Sequence, residues 1–86
     1  MALLYYQDFE SEARNLPKAA QQKLARCLEL LANQPFHPLL HTKRLGGELL
    51  GVYSFRITRD WRVLFQFLDQ QTIQLLAVGH RKEIYR

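Results

Sequence analysis

The residues best suited to chemistry lie in the segment Gly79–Arg86, which reads Gly-His-Arg-Lys-Glu-Ile-Tyr-Arg. Its imidazole, guanidinium, ammonium and phenol groups can bind phosphate and move protons near neutral pH. The apolar residues 73–78 precede it and predict a buried strand that would deliver these groups to an accessible end of the fold. A frayed, solvated segment is the alternative. Ile84 and Tyr85 argue against it because they give the segment something to pack with.

A second candidate is Arg62, in a predicted strand in which Trp61, Val63, Phe65 and Phe67 alternate with Arg62, Leu64, Gln66 and Leu68. Side chains alternate across a sheet, so Arg62 is expected on the face opposite Trp61 and Val63. A charged side chain in mid-strand is costly to bury, so we expect the helices to cover the aromatic face and Arg62 to lie on the open face. The last strand can deliver His80 and Arg81 to the same region.

The elements that must position these residues follow in an α+β order. Residues 3–6 predict an N-terminal strand, and residues 9–33 predict a two-helix hairpin, with Asp8 as the first N-cap and Pro17 starting the second helix or kinking the first. Residues 35–51 predict a polar loop. Residues 53–78 predict a three-stranded antiparallel meander with short turns. The helices are therefore expected to pack on one face of the sheet.

Composition limits the possible classes of protein. Its 86 residues predict one domain, 1–86, with a modest core. The single cysteine, Cys27, excludes an internal disulfide and a multi-thiolate metal site, and it fits a reducing cytosol. No apolar run approaches the roughly 20 residues that span a bilayer, and the N-terminus does not resemble a signal peptide. We therefore expect a cytoplasmic protein without membrane contact.

The net positive charge comes entirely from the second half of the chain. Residues 1–42 carry four basic and four acidic side chains, whereas residues 43–86 carry eight basic and four acidic, which gives the net charge of +4. A polyanion such as nucleic acid would meet that half. Ordinary surface charge that keeps the protein in solution is an equal alternative on composition alone.

Four motifs follow one another along the chain. They are Asn15-Leu16-Pro17-Lys18 before an amphipathic helix, His41-Thr42-Lys43-Arg44-Leu45 with Gly51-Val52-Tyr53-Ser54-Phe55-Arg56, Asp60-Trp61-Arg62-Val63-Leu64-Phe65, and Val78–Tyr85. Together they resemble the RelE/ParE superfamily of bacterial type II toxins, more closely its RelE-like side. The resemblance covers nearly the whole chain. It implies a toxin that enters the ribosomal A site and cuts mRNA there through the substrate's own 2′-hydroxyl, without metal or cofactor.

The resemblance also implies roles for particular residues. Arg62 and Arg81 would stabilise charge on the phosphate, Tyr85 would stack on a base or share in proton transfer, and His80 would move protons. The residues implied for RNA binding are Lys43, Arg44, Arg56 and Lys82. Glu48 is a looser match to a base that some relatives use.

Each role has a competing interpretation. Arg62 could pair with Asp60 or Glu83 in a surface ion pair of little energetic value. His80 could be an ordinary hydrogen-bonded strand terminus, and Tyr85 could only anchor the segment by packing. Lys43 and Arg44 could simply be solvated.

The resemblance implies a cognate antitoxin, the ribosome and mRNA as partners, with operator DNA bound only by the toxin-antitoxin complex. Two other functions remain open on the same fold, because fold does not determine function. One is a ParE-like poison of DNA gyrase without nuclease activity. The other is an inactive member that binds antitoxin and regulates its own operon.

Overall fold

A computed structural model describes residues 1–85, and Arg86, the end of the basic segment, lies outside the described residues. The elements in chain order are β1 (Ala2–Tyr5), α1 (Phe9–Arg14), α2 (Lys18–Asn33), β2 (Lys43–Arg44), β3 (Tyr53–Arg56), β4 (Trp61–Asp69) and β5 (Thr72–His80). Short 3₁₀ helices lie at Pro38–Leu40 and Gly47–Leu49. This confirms the α+β class, with β1 one residue earlier than predicted.

The five strands form one sheet in the order β1-β5-β4-β3-β2. The β3-β4-β5 meander is antiparallel, as predicted, whereas β1 pairs parallel to β5, so that Leu3 lies opposite Ile73. β1 pairs only with Thr72–Leu75, so the polar end of β5 is paired on one side, with β4.

The prediction that residues 35–51 form only a loop is wrong. Lys43 and Arg44 pair with Ser54 and Tyr53 as the edge strand β2, and the ladder continues through a backbone hydrogen bond from Leu45 to the carbonyl of Val52, at 2.9 Å. A two-residue strand is too short to show alternation, so its sequence carries no period-two signal. Its pairing partner alone defines it.

The two helices cover one face of the sheet, as predicted. α2 begins directly after Pro17, and Gln21 closes the helical hairpin by donating its side-chain amide to the carbonyls of Arg14 and Leu16. Asp8 occupies the N-cap position of α1, but its side chain makes no capping hydrogen bond. The core joins residues from both helices and the sheet: Phe9, Leu16, Ala20, Leu24, Cys27, Leu31, Leu40, Phe55, Ile57, Val63, Phe65, Ile73, Leu75 and Val78.

A β-bulge at Leu76 explains why the apolar residues of β5 form a nearly continuous run and do not alternate with polar ones. Leu64 pairs with Ala77 and Phe65 pairs with Leu75, so Leu76 is the extra residue. The bulge shifts the alternation, and Leu75 and Val78 both enter the core although three positions separate them. The backbone N–H of Val78 donates to the Glu12 carboxylate at 3.3 Å, which ties α1 to the bulged strand.

Candidate functional site

A cleft of about 500 Å³ lies on the open face of the sheet, opposite the helices. We call it the cationic cleft, and it is lined by His41, Lys43, Ser54, Arg56, Arg62, Arg81, Lys82 and Tyr85. Five of these eight residues are basic and none is acidic. The cleft therefore concentrates positive charge where a polyanion can reach it.

Strand pairing places three of the five cations in two adjacent rows. Arg56 lies opposite Arg62, which lies opposite Gly79, and Lys43 lies opposite Ser54. Two arginines directly opposite each other repel and are an unfavourable cross-strand pair. Such a pair gains from an anion bound between the two guanidinium groups.

The guanidinium group of Arg62 is held by the turn between β3 and β4. Its Nη1 donates to the carbonyls of Thr58 and Arg59, both at 2.7 Å. The ion pair of Arg62 with Asp60 or Glu83 that the sequence left open does not occur among the described residues, where Asp60 pairs with Arg81. The turn thus fixes one nitrogen of Arg62, and the rest of the group stays available to a ligand in the cleft.

Arg81 is anchored to the same turn. Its backbone N–H donates to the carbonyl of Asp60 at 2.8 Å, and its Nε lies 3.4 Å from the Asp60 carboxylate. The two side chains are 40% and 52% exposed, so solvent screens the pair, and such pairs are worth about 0–1 kcal/mol. The contact therefore orients Arg81 more than it stabilises the fold.

The residues after β5 form a turn that folds back over the sheet. The N–H groups of Glu83 and Ile84 donate to the carbonyl of His80 at 2.9 and 3.0 Å. A Cβ built at Gly79 would lie 3.8 Å from the Ile84 side chain, so Ile84 sits directly over this glycine. The Tyr85 hydroxyl donates to Ser54 Oγ at 3.4 Å, which places the phenol in the cleft.

His80 is the predicted catalytic residue that the cleft does not include. Its ring packs edge-on against Trp61, with centroids 5.2 Å apart, and Trp61 packs on the core. The bulge at Leu76 explains this placement, because it puts His80 in phase with Val78, on the helical side of the sheet. The expectation that β5 brings His80 and Arg81 to one region is wrong for His80. Its Nδ1 accepts the N–H of Lys82 at 3.2 Å, which helps to hold the turn.

Arg44 and Glu48 also lie outside the cleft lining. The Arg44 guanidinium stands 5.9 Å from the ring centre of Tyr53, on the face of the sheet opposite Lys43. Glu48 is exposed in the second 3₁₀ helix. The cleft thus brings together six of the eight predicted site residues: Arg62, Arg81, Tyr85, Lys43, Arg56 and Lys82.

Two residues of the cleft, His41 and Ser54, were not predicted as site residues. Ser54 is buried beneath Tyr85. Its position could have been predicted, because strand alternation puts Ser54 on the same face as Arg56 and on the face opposite Tyr53 and Phe55. His41 had a weaker signal, because it precedes Lys43 by two positions, the spacing that keeps two residues of an extended chain on one side.

A larger groove, of about 820 Å³, lies on the helical side between α2 and the first 3₁₀ helix. Its lining is mostly apolar, with Leu30, Leu39 and Leu40, and it carries Lys23 and Arg26 but no imidazole, phenol or carboxylate. Its one titratable neutral group is the Cys27 thiol, whose pKa is raised by burial and lowered less by nearby Lys23. The groups suited to proton transfer are therefore in the cationic cleft.

Two observations concern metals and membranes. Within residues 1–85, no three His, Cys, Asp or Glu side chains are grouped so that they could hold a metal ion. In the same part of the chain, no helix is both long and apolar enough to cross a bilayer.

The model of a protein family, described as the ParE toxin of the type II toxin-antitoxin system parDE, matches residues 4–85. The chain belongs to the RelE/ParE superfamily of type II toxins. This confirms the resemblance carried by the four motifs. No curated protein matches this toxin by sequence.

Solved structures of RelE/ParE toxins share the fold of the whole chain. YafQ from E. coli strain BL21(DE3) superposes with a TM-score of 0.81 at 17% identity, covering 98% of this chain and 97% of YafQ. A YoeB/ParE toxin from Agrobacterium tumefaciens gives 0.79 at 18% identity, covering 94% and 99%. The RelB-RelE antitoxin-toxin complex from Methanococcus jannaschii gives 0.77 at 22% identity, covering 95% and 94%. At these identities the likeness establishes the fold.

Proposed function

We propose that this toxin is a ribosome-dependent endoribonuclease that cuts mRNA in the ribosomal A site and so inhibits translation. The observation that carries the proposal is the cationic cleft, in which five basic side chains and the Tyr85 phenol surround a space of about 500 Å³. An mRNA backbone is a polyanion that such a cleft can hold. The reaction uses the 2′-hydroxyl of the RNA itself, and it requires neither a metal ion nor a cofactor.

The proposed chemistry is attack of a 2′-oxygen on the adjacent phosphorus, with departure of the 5′-oxygen. Negative charge grows on the phosphate during attack, and Arg62 and Arg81 stabilise it because both are fixed by the β3–β4 turn before substrate arrives. Such preorganised donors lower the barrier, since they need no rearrangement in the transition state. Tyr85 donates its hydroxyl proton to the leaving 5′-oxygen.

The remaining basic residues bind the RNA on either side of the cut. Lys43, Arg56 and Lys82 line the cleft and contact phosphates. Arg44 is proposed to contact RNA beyond the cleft, where its side chain is exposed beside Tyr53. His80 acts indirectly, by holding the turn that carries Arg81, Lys82 and Tyr85.

Poisoning of DNA gyrase is the second candidate function, and the match to the ParE family model favours it. A gyrase poison acts by binding a protein and has no need for a phenol fixed among five cations. The arrangement of the cleft therefore favours the nuclease, and the two functions give different products.

Primer extension on an mRNA in a purified translation system tests the proposal. Cuts inside A-site codons that require ribosomes are the expected result. Arg62→Ala and Arg81→Ala should each lose most of the cleavage, whereas Arg26→Ala, which removes the same charge from α2, should keep it. Intact mRNA, together with inhibition of supercoiling by purified gyrase, would show that the toxin is a gyrase poison and not a nuclease.

A cognate antitoxin is the proposed regulatory partner. The related RelE toxins from Methanococcus jannaschii and Pyrococcus horikoshii were solved with RelB, and E. coli YafQ with DinJ. We expect the antitoxin of this toxin to cover the cationic cleft with an acidic segment, and the complex alone to bind operator DNA. Since ribosomes are the target, the proposed location is the cytoplasm.

A further inference from the structure

The proposed cleavage requires a group that accepts the proton of the attacking 2′-hydroxyl. Five of the lining residues are lysines or arginines, which in their charged forms are donors with no lone pair to offer. No carboxylate lines the cleft. The hydroxyl groups of Ser54 and Tyr85 are engaged with each other at 3.4 Å. The remaining lining residue, His41, carries an imidazole, which accepts protons readily near neutral pH.

The other two histidines are placed elsewhere. His37 lies in the same loop, but its Nδ1 accepts the backbone N–H of Leu39 at 3.1 Å, and it does not line the cleft. His80 packs against Trp61 on the helical side of the sheet. His41 is thus the histidine of this chain that the cleft exposes to a bound substrate.

The backbone at His41 is in an unusual conformation. With φ at 50° it is the non-glycine residue with positive φ in residues 1–85. Such conformations are strained for most side chains and cluster at functional sites, where the surrounding structure holds them. Here Leu40 is fully buried, the His41 N–H donates to the carbonyl of Pro38 at 3.2 Å, and the Thr42 hydroxyl donates to the carbonyl of Pro35. The loop is therefore fixed on both sides of His41.

We propose that His41 is the general base of the cleavage, an inference that rests on the proposed endoribonuclease function. An imidazole nitrogen of His41 takes the 2′-hydroxyl proton as the 2′-oxygen forms its bond to phosphorus. The bond from phosphorus to the 5′-oxygen breaks, and that oxygen takes the hydroxyl proton of Tyr85. The products are a 2′,3′-cyclic phosphate and a 5′-hydroxyl. His41 then passes its proton to solvent, and Tyr85 regains one.

The groups that face His41 across the cleft come from four elements. They are Lys43 on β2, Arg56 on β3, Arg62 on β4, and Arg81, Lys82 and Tyr85 on the turn after β5. The pH dependence of cleavage is assigned to His41 by comparing variants of the three histidines, since His80 also supports the cleft through the Lys82 N–H.

His41→Asn is the variant that tests the proposal, because asparagine tolerates the left-handed conformation but cannot accept the proton. Single-turnover cleavage of ribosome-bound mRNA should fall by about 10²–10⁴. Binding to the ribosome should be unchanged. The wild-type rate should rise with pH as the base loses its proton, and the variant should lose this rise. His41→Gly also suits a positive φ, and added imidazole should restore part of its activity.

His37→Asn is the matched control, because asparagine can still accept the N–H two residues on and so keeps the loop closed. It should retain the wild-type rate and pH profile. A folded His41→Asn toxin that cuts at the wild-type rate with the same profile would overturn the assignment. A wild-type toxin that leaves ribosome-bound mRNA intact would instead overturn the proposed endoribonuclease, and this inference with it.

Discussion

At the scale of single residues, Tyr85 can contribute through its ring or through its hydroxyl, and removing the hydroxyl separates the two roles. The ring can stack on a base, and the hydroxyl, 3.4 Å from Ser54 Oγ, can donate a proton. If the hydroxyl protonates the leaving oxygen, Tyr85→Phe should slow single-turnover cleavage by roughly 10²-fold and leave RNA binding intact. Ser54→Ala keeps the phenol and should cost much less. A Tyr85→Phe toxin with full cleavage would leave stacking or packing as the role of the ring.

The pair of Arg81 with Asp60 leads to a second prediction. Asp60→Asn keeps an acceptor for Arg81 Nε but removes the carboxylate charge that orients the guanidinium group. We expect slower cleavage together with equal or tighter RNA binding, since the variant has one negative charge fewer beside the cleft. Measuring binding and single-turnover cleavage on the same RNA separates the two effects. Weaker binding would show that Asp60 supports the whole cleft.

Cys27 should be an unreactive thiol in the native protein. It is 7% exposed, and burial raises its pKa above the ordinary value of 9.0, with Lys23 opposing the shift. The thiolate is the reactive form, so a thiol reagent should label native toxin slowly at neutral pH and urea-unfolded toxin rapidly. Because the pKa is raised on folding, stability from this group is constant at neutral pH and declines only as alkaline pH ionises the thiol. Equally fast labelling in both states would contradict its burial.

At the scale of elements, the first 3₁₀ helix provides a matched pair of leucines. Leu40 is fully buried, whereas its neighbour Leu39 is 72% exposed. Leu40→Ala should lower the free energy of unfolding by about 2–5 kcal/mol, because it leaves a cavity. Leu39→Ala should change it by less than about 0.5 kcal/mol. Urea denaturation of both variants makes the comparison, and equal values would mean that this helix does not anchor the loop of His41.

The elements also show where sequence reasoning succeeds. Apolar residues at helical spacing in α2, and at alternating positions in β4, predicted the helices, the meander and the open-face position of Arg62. A regular period over many residues is a strong signal. β2 was missed because two residues have no period. The displacement of His80 was missed because a bulge depends on pairing between strands, which a single strand does not reveal. His41 depends on a loop conformation that its residue type does not specify.

At the scale of the whole molecule, five clustered cations predict a strong salt dependence of RNA binding. For single strands, the logarithm of the binding constant changes with the logarithm of salt concentration by about −0.7 per neutralised phosphate. Lys43→Ala should reduce this slope by about that amount, whereas Lys18→Ala on α2 should not. Fluorescence anisotropy with a 2′-O-methyl RNA measures both slopes. An unchanged slope for Lys43→Ala would show that Lys43 does not contact an RNA phosphate.

The parallel pairing of β1 with β5 also has a consequence for how the chain folds and opens. Leu3 pairs with Ile73, whereas the lining of the cationic cleft comes entirely from residues 41–85. The pairing of β1 with β5 closes a much longer loop of chain than the turn between β4 and β5, and closing a longer loop costs more chain entropy. We therefore expect β1 to dock late in folding and to detach early in local unfolding. Its amides should exchange with solvent sooner than those of β4. Whenever β1 detaches, the edge of β5 offers unpaired backbone groups to which a strand of another chain can add.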